Sequence, residues 1–296
     1  MKTTKLRWVI VSLVAVATVI NYIDRGALAV MWPAISDDLG LTKDDYAIII
    51  NVFILAYAFG QSLFGKIMDW IGVRLGFVLA IGVWSLATVL HAVASSLLTF
   101  SIFRGILGVA EAGNWPGATK ANAVWFPIKE RAFAQSIFNS GAAIGGIVSA
   151  PIVGLLFVFM GSWQATFIII GVLGLLWLIP WLIIYKSGPE SHPWLGEEER
   201  QYILTGQRNA EAGEAAEYAP TTGEILSRKE SWGVILASFF LDPIWWLFVS
   251  WLPLYLNETY GFGVAEIAKY AAVPYVGGMF GAWFGGLLAQ NRIKAG

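Results

Sequence analysis

Residues 21–30 read NYIDRGALAV, and the two charges at their centre govern how the chain is read. Ahead of them runs WVIVSLVAVATVI, residues 8–20, without a charge, and after Arg25 the apolar sequence resumes. Residues 8–33 therefore make one span, since a helix crosses a bilayer with about 20 apolar residues. An ionised Asp or Arg within such a span costs roughly 2.5–3.5 kcal/mol on insertion scales. Charges of this kind face a bundle interior or an aqueous cavity and have partners. A cleaved signal peptide is the rival reading, because Lys2, Lys5 and Arg7 precede the run and ALA stands at 27–29. An acid–base pair just before the cut would be out of place, and the further spans favour retention.

The composition agrees with a membrane protein. The chain is 57% hydrophobic and 13% charged, where soluble domains carry about 25% charged residues. A net charge of −1 points to no nucleic-acid partner. The absence of cysteine excludes disulfides and thiolate metal sites. His91 and His192 alone do not make a histidine metal centre, and no cofactor or metal is expected. The 15 tryptophans suit helices anchored at two membrane interfaces.

Eight spans are predicted, at roughly 8–33, 46–66, 75–95, 97–119, 133–159, 163–185, 232–256 and 266–289. Every Lys and Arg except Lys43, Lys269, Arg25 and Arg104 then falls on the side of the N-terminus. The positive-inside rule makes that side cytoplasmic. The expectation is an all-α, multi-pass protein of the cell inner (plasma) membrane, monomeric in the lipid bilayer.

Six spans (residues 1–186) precede a polar segment (187–231), and two more spans (232–296) follow. That order predicts a six-helix bundle, a cytoplasmic linker with some surface helix, and the first two helices of a second, truncated bundle. The acidic run GEEER in the linker reads as a solvated face. Gly60, Gly65 and Asp69 are echoed in spacing by Gly281, Gly286 and Gln290, as a parallel repeat would require. Gly141, Gly145 and Gly146, like Gly277, Gly281 and Gly285, let helix backbones approach closely. That is either static packing or the meeting of two rocking halves.

Five charges sit inside spans: Asp24, Arg25, Arg104, Glu111 and Asp242. Asp24 and Arg104 fall at similar depth if their helices are neighbours. Glu111, two turns beyond Arg104 on the same face, lies about 10 Å deeper. Two acids staggered about an arginine form a candidate proton path, since an acid beside Arg⁺ stays ionised until the arginine is drawn away. A purely structural ion-pair network is the alternative. Arg25 points about 100° around the helix from Asp24, and its planar donor fork suits a substrate carboxylate. Tyr22 and Tyr57 offer hydroxyls to a sugar-like ligand or serve structure. Asp242-Pro243 predicts a local break or kink in span seven, with Trp245 or Trp246 facing the cavity; Trp245 is the candidate.

GKIMDWIGVR, residues 65–74, resembles the loop signature between spans two and three of the major facilitator superfamily, through Gly65, Asp69, Gly72 and Arg74. It departs at Trp70, where an arginine is usual. NYIDRGALAV, RGILGVAEAGNWPG, WFPIKERAFAQSIFNSGAAIGG and DPIWWLFVSWLPLYL resemble the anion:cation symporter family, and within it hexuronate transporters. The resemblance covers residues 8–296. It implies a twelve-helix fold, of which eight helices are present here, and alternating access. It also implies uptake of a sugar acid with protons. By position it makes Asp24 and Glu111 protonatable acids and Arg104 their arginine, and Arg25 the substrate-carboxylate arginine beside Tyr22 and Tyr57. Related aldonate carriers have a glutamine near Ala142; here Asn139 is the polar replacement. Another organic anion, or exchange without proton coupling, is the alternative. A membrane enzyme would need clustered catalytic groups, which the isolated histidines do not provide, and a receptor would not need acids staggered in depth. The 296 residues alone are expected not to transport.

Overall fold

Helices occupy the apolar runs. The structure, a computed structural model, describes residues 5–213 and 221–277, and every element named below is helical. The first bundle comprises α1 (Leu6–Leu39), α2 (Lys43–Leu90), α3 (Leu97–Glu111), α4 (Asn114–Trp125), α5 (Ile128–Met160) and α6 (Trp163–Ile184). Next come α7 (Glu197–Gly213) and α8 (Thr222–Ser227). Beyond them lie α9 (Lys229–Trp246), a π-helical turn (Leu247–Trp251), α10 (Leu252–Tyr260) and α11 (Val264–Tyr270). Among the described residues, five stretches are long and apolar enough to cross a membrane: Leu6–Leu39, Lys43–Val93, Ile128–Met160, Trp163–Ile184 and Lys229–Tyr260. The later part of the eighth predicted span, with Gly281, Gly285 and Gly286, and the residues after it, with Gln290, Arg292 and Lys294, lie outside the described residues.

Spans two and three are the two arms of α2. Gly72 breaks them apart with φ +78°, a left-handed conformation that costs glycine nothing. The arms fold back on each other, so that a Cβ on Gly76 would strike the Met68 side chain. Around this turn the Lys120 ammonium donates to the Met68 carbonyl (2.7 Å) and pairs with Asp69. Arg74 donates to the Leu182 carbonyl at 3.2 Å, and the Trp181 indole returns a bond to the Arg74 carbonyl at 3.1 Å. The signature thus joins α2, α4 and α6 through Asp69, Gly72 and Arg74, whereas a Cβ on Gly65 would touch nothing within 4 Å. Trp70, where an arginine is usual, stands exposed.

Span four is not the single helix the sequence predicts. It is α3 and α4, parted at Ala112 and Gly113. Pro116 supplies the reason: it has no N–H for the carbonyl of Ala112, and its ring is tolerated only in the first turn of a new helix. Two buried clusters fill the bundle. One gathers Phe77, Trp84, Trp125, Phe138 and Trp181, and the other Trp32, Tyr46, Phe100, Trp163 and Phe167.

The close-packing glycines divide. A Cβ on Gly141 would lie 2.5 Å from the Ala15 carbonyl, and one on Gly145 2.6 Å from the Tyr22 Cβ, so both serve the contact of α5 with α1. Gly146 instead faces Tyr275, and Gly154 faces Ala268, across to the segment after α7. At that same end Lys43 pairs with Glu258 at 2.6 Å, and the Tyr46 hydroxyl donates to the Ser250 carbonyl.

Two expectations need correction here. The acidic run of the linker is not uniformly solvated, because Glu199 is buried. Its carboxylate accepts the backbone N–H groups of Leu6 (3.1 Å) and Arg7 (3.4 Å) and the Arg7 guanidinium (2.7 Å). An anion at a helix N-terminus satisfies amides that the helix itself leaves open. Arg7 also pairs with Glu130 of α5 at 3.0 Å, Ile203 is buried, and Gln207 donates to the Val124 carbonyl at 2.8 Å. The segment ahead of α7 is pinned as well. His192 Nε2 donates to the Ile184 carbonyl (2.8 Å), while its Nδ1 accepts from the Trp194 amide (3.2 Å). Second, Asp242-Pro243 does not break α9. The helix continues to Trp246, and the irregularity follows as the π-helical turn Leu247–Trp251. Asp242 is exposed rather than interior.

Candidate functional site

The site is built on one turn and a half of α1. Asn21 and Arg25, four residues apart, share a helix face, and Arg25 Nη2 donates to the Asn21 side-chain oxygen at 3.1 Å. Across the bundle, α3 ends at Glu111. Its Oε2 accepts from both Nε and Nη2 of Arg25, each at 3.2 Å. Arg25 is 7% exposed and Glu111 0%, so this is a buried, charge-assisted pair, the stronger class of hydrogen bond.

Aromatic rings surround the guanidinium. The Arg25 Cζ lies 4.8 Å from the Tyr57 ring centroid, 4.9 Å from Tyr22, 5.3 Å from Trp246 and 5.8 Å from Phe53. All four distances fall within cation–π range. Phe53 and Tyr57 stand one turn apart on α2 and stack at 28°. Trp246 comes from α9, edge-on to Tyr57 at 6.0 Å, so the cage draws on both sides of the linker. Trp245 adds an outer layer against Tyr22 (6.2 Å) and Tyr275 (5.5 Å).

Asp24 points elsewhere. It is buried, and its Oδ2 accepts from the Thr88 hydroxyl of α2. Arg104 is buried as well, 5.5 Å from the Phe53 ring centroid. Among the described residues no ion pair within 4 Å joins Arg104 to Asp24 or Glu111. Asp24 Oδ1, Glu111 Oε1 and the Nε and Nη1 of Arg104 are buried atoms without a hydrogen-bond partner there. One residue past the break in span four, Asn114 donates to the Thr18 hydroxyl at 3.0 Å and ties α4 to α1. The four charged groups together sum to zero when all are ionised.

The predicted site residues therefore separate into groups. Arg25, Tyr22, Tyr57 and Glu111 come together, with Trp245 at their edge. Asp24 sits beside them on a different partner, and Arg104 lies against Phe53 without an ion pair to either acid. Asp24 and Arg104 share no direct bond among the described residues: Thr88 donates to Asp24, and Glu111 turns to Arg25. Asn139 does not join the cluster. It is exposed and accepts a hydrogen bond from Gln135 at 3.2 Å. Sequence reasoning missed Asn21, Phe53, Thr88 and Asn114. It weighed Trp246 but settled on Trp245. The spacing of Asn21 to Arg25 was a readable signal; a lone threonine in span three was not.

Chemically, the cage presents a fixed cation to an anion while one of its carboxylates already holds it. A second, separately bonded carboxyl stands one residue away. That is a binding arrangement with two groups able to exchange protons, rather than a nucleophile with its base. No group of His, Asp and Glu among the described residues is disposed to hold a metal ion.

Comparison with known proteins fits this architecture. The chain is 35% identical over 303 residues to the hexuronate transporter of Escherichia coli K12, covering 98% of this chain and 69% of that protein. It is 35% identical over 297 residues to the galacturonate transporter of Dickeya chrysanthemi, covering 99% of this chain and 85% of that protein. Among solved structures, an inward-facing, unoccupied bacterial homolog of the human lysosomal transporter Spinster superposes with a TM-score of 0.76 at 21% identity. That match covers 98% of this chain and 64% of the homolog. The sequence profile of the Major Facilitator Superfamily matches residues 14–296. This multi-pass membrane chain belongs to the Major Facilitator Superfamily, a family of transporters and not of enzymes.

Proposed function

We propose that the protein carrying this chain imports a sugar acid of the hexuronate type by proton symport, through alternating access. The observation that carries the reading is Arg25, a buried guanidinium in an aromatic cage with Glu111 on one edge and Asp24 as its chain neighbour. A guanidinium matches a carboxylate bidentately, and aromatic faces suit the apolar face of a sugar ring. Arg25 is the anion-binding group, and Tyr22, Tyr57 and Trp245 flank the ligand. Asp24 and Glu111 take up the driving protons, with Arg104 as their shared counter-charge.

The relatives' substrates support the class: the names of similar proteins specify hexuronate, galacturonate and galactarate/D-glucarate. The protein works as a monomer in the inner membrane with its N-terminus cytoplasmic. Residues 1–186 act as one bundle, 187–231 as the linker and 232–296 as the beginning of a second bundle. The test is uptake of labelled galacturonate into proteoliposomes of the full-length protein, with and without an inward proton gradient. Gradient-driven uptake that Asp24→Asn abolishes, with exchange of preloaded substrate surviving, supports symport. Uptake indifferent to both leaves an exchanger or facilitator.

A further inference from the structure

We propose that Thr88 is a positioning residue that follows the protonation of Asp24, because its single hydroxyl proton has two acceptors in reach: the Asp24 carboxylate and the Trp84 carbonyl. The inference rests on the proton-coupling role proposed above for Asp24. The Thr88 hydroxyl oxygen lies 3.0 Å from the carbonyl oxygen of Trp84, four residues earlier on α2, and within hydrogen-bond distance of Asp24 Oδ2. Thr88 is 0% exposed and Asp24 1%, so water does not supply either bond. One hydroxyl has one proton to donate and lone pairs to accept with.

The two protonation states then select two arrangements. With Asp24 ionised, the Thr88 O–H donates to Oδ2. When a proton arrives, an O–H bond forms at Oδ2 and that group donates to the Thr88 oxygen. The Thr88 proton turns to the Trp84 carbonyl, a bond that threonines within helices commonly make. No proton is gained or lost by Thr88. Asp24 Oδ2 keeps a partner in both states, which spares that oxygen the cost of being buried unsatisfied.

The other groups around Asp24 are accounted for. On α1 they are Arg25 and Tyr22, on α2 the buried Tyr46 and Tyr57, on α3 Arg104 and Glu111, and in the turn after α2 His91. Helix α6 carries no titratable side chain, and those of α5 lie in its first turn with Glu130 and Arg7. Lys120 of α4 is held by Asp69, and the titratable residues of α10 and α11 are exposed. None of them offers the alternation that Thr88 does.

The test is the pH profile of gradient-driven galacturonate uptake by the full-length protein, for wild type, Thr88→Val and Thr88→Ser. A hydrogen bond to a charged group outweighs one to a neutral group. Thr88→Val therefore shifts the half-maximal pH of uptake upward by about one unit, while counterflow of preloaded substrate persists and Thr88→Ser stays at the wild-type midpoint. Infrared titration of the carboxyl band that Asp24→Asn removes gives a second readout, with the same shift in Thr88→Val and a higher stretching frequency. If Thr88→Val does not fold, Thr88→Ala carries the same expectations. A wild-type midpoint in Thr88→Val, or an equal displacement in Thr88→Ser, overturns the proposal while leaving proton symport standing. Wild-type uptake indifferent to the gradient overturns the symport reading, and this one with it.

Discussion

Replacing Glu111 with glutamine separates two roles the carboxylate plays at Arg25. Glu111 Oε2 sits 3.2 Å from both Nε and Nη2, so an arriving substrate carboxylate must approach the guanidinium beside a charge of its own sign. Two carboxylates bound at different edges of one guanidinium lie about 6 Å apart. At an effective dielectric of about 20 their repulsion is roughly 2.8 kcal/mol, which corresponds to about 100-fold in affinity. Rearrangement of Arg25 between them reduces this, and 10- to 100-fold is the expected range. Glutamine keeps an oxygen for Arg25 to donate to and removes the charge, mimicking the protonated acid. Galacturonate binding, followed by quenching of tryptophan fluorescence in detergent, should be tighter in Glu111→Gln by that factor. Wild-type affinity should rise toward the variant's as pH falls, and the variant's should change less with pH, since only Asp24 then remains to titrate. Weaker binding in Glu111→Gln at every pH would refute the argument, because Glu111 would then serve by orienting Arg25 rather than by competing for it.

Two further outcomes concern the pinned linker. Glu199→Gln should lower thermal stability in detergent by about 1.5–3 kcal/mol, the range for a hydrogen bond to a charged group, read from the unfolding midpoint by intrinsic fluorescence. Arg7→Ala should add little to that loss in the double variant, since the two share one bond network. Burial pushes the His192 imidazole below its ordinary value, against the hydrogen bond to the Ile184 carbonyl. The neutral ring is thus the folded form. Its contribution is present above about pH 6.5, the ordinary histidine value, and is lost as pH falls below it, when the unfolded chain binds the proton first. Stability difference curves of wild type against His192→Gln should therefore converge toward acid pH.

The spans were legible because hydropathy needs only composition over some twenty residues: α1 and α5 bracket their predicted runs, and α6 matches its own to within one residue. Partner choice was not. Depth along a helix placed Asp24 level with Arg104, but azimuth and side-chain reach decide contact. Arg25 spans from α1 to the last residue of α3, and the short Asp24 side chain reaches only Thr88. Asn139 looked like a site residue from its register near Ala142, yet its helix turns it outward. Glu199 was hidden for another reason. A glutamate in an acidic run looks like its neighbours until the amides of Leu6 and Arg7 are found opposite it. The kink in span four was readable from Pro116 and was passed over.

The balanced charge of Asp24, Arg25, Arg104 and Glu111 has an electrical meaning. A site that sums to zero when all four are ionised feels no net force from the membrane potential as the empty protein reorients. One proton bound with one monovalent anion leaves the sum unchanged, so on the proposed coupling voltage acts on neither the loaded nor the empty step. A dianion taken with one proton would move against about 2.3 kcal/mol per 100 mV, and a second proton would cancel that. The same four residues would then make a monoacid carrier indifferent to voltage and a diacid carrier dependent on how many of its two carboxyls are filled.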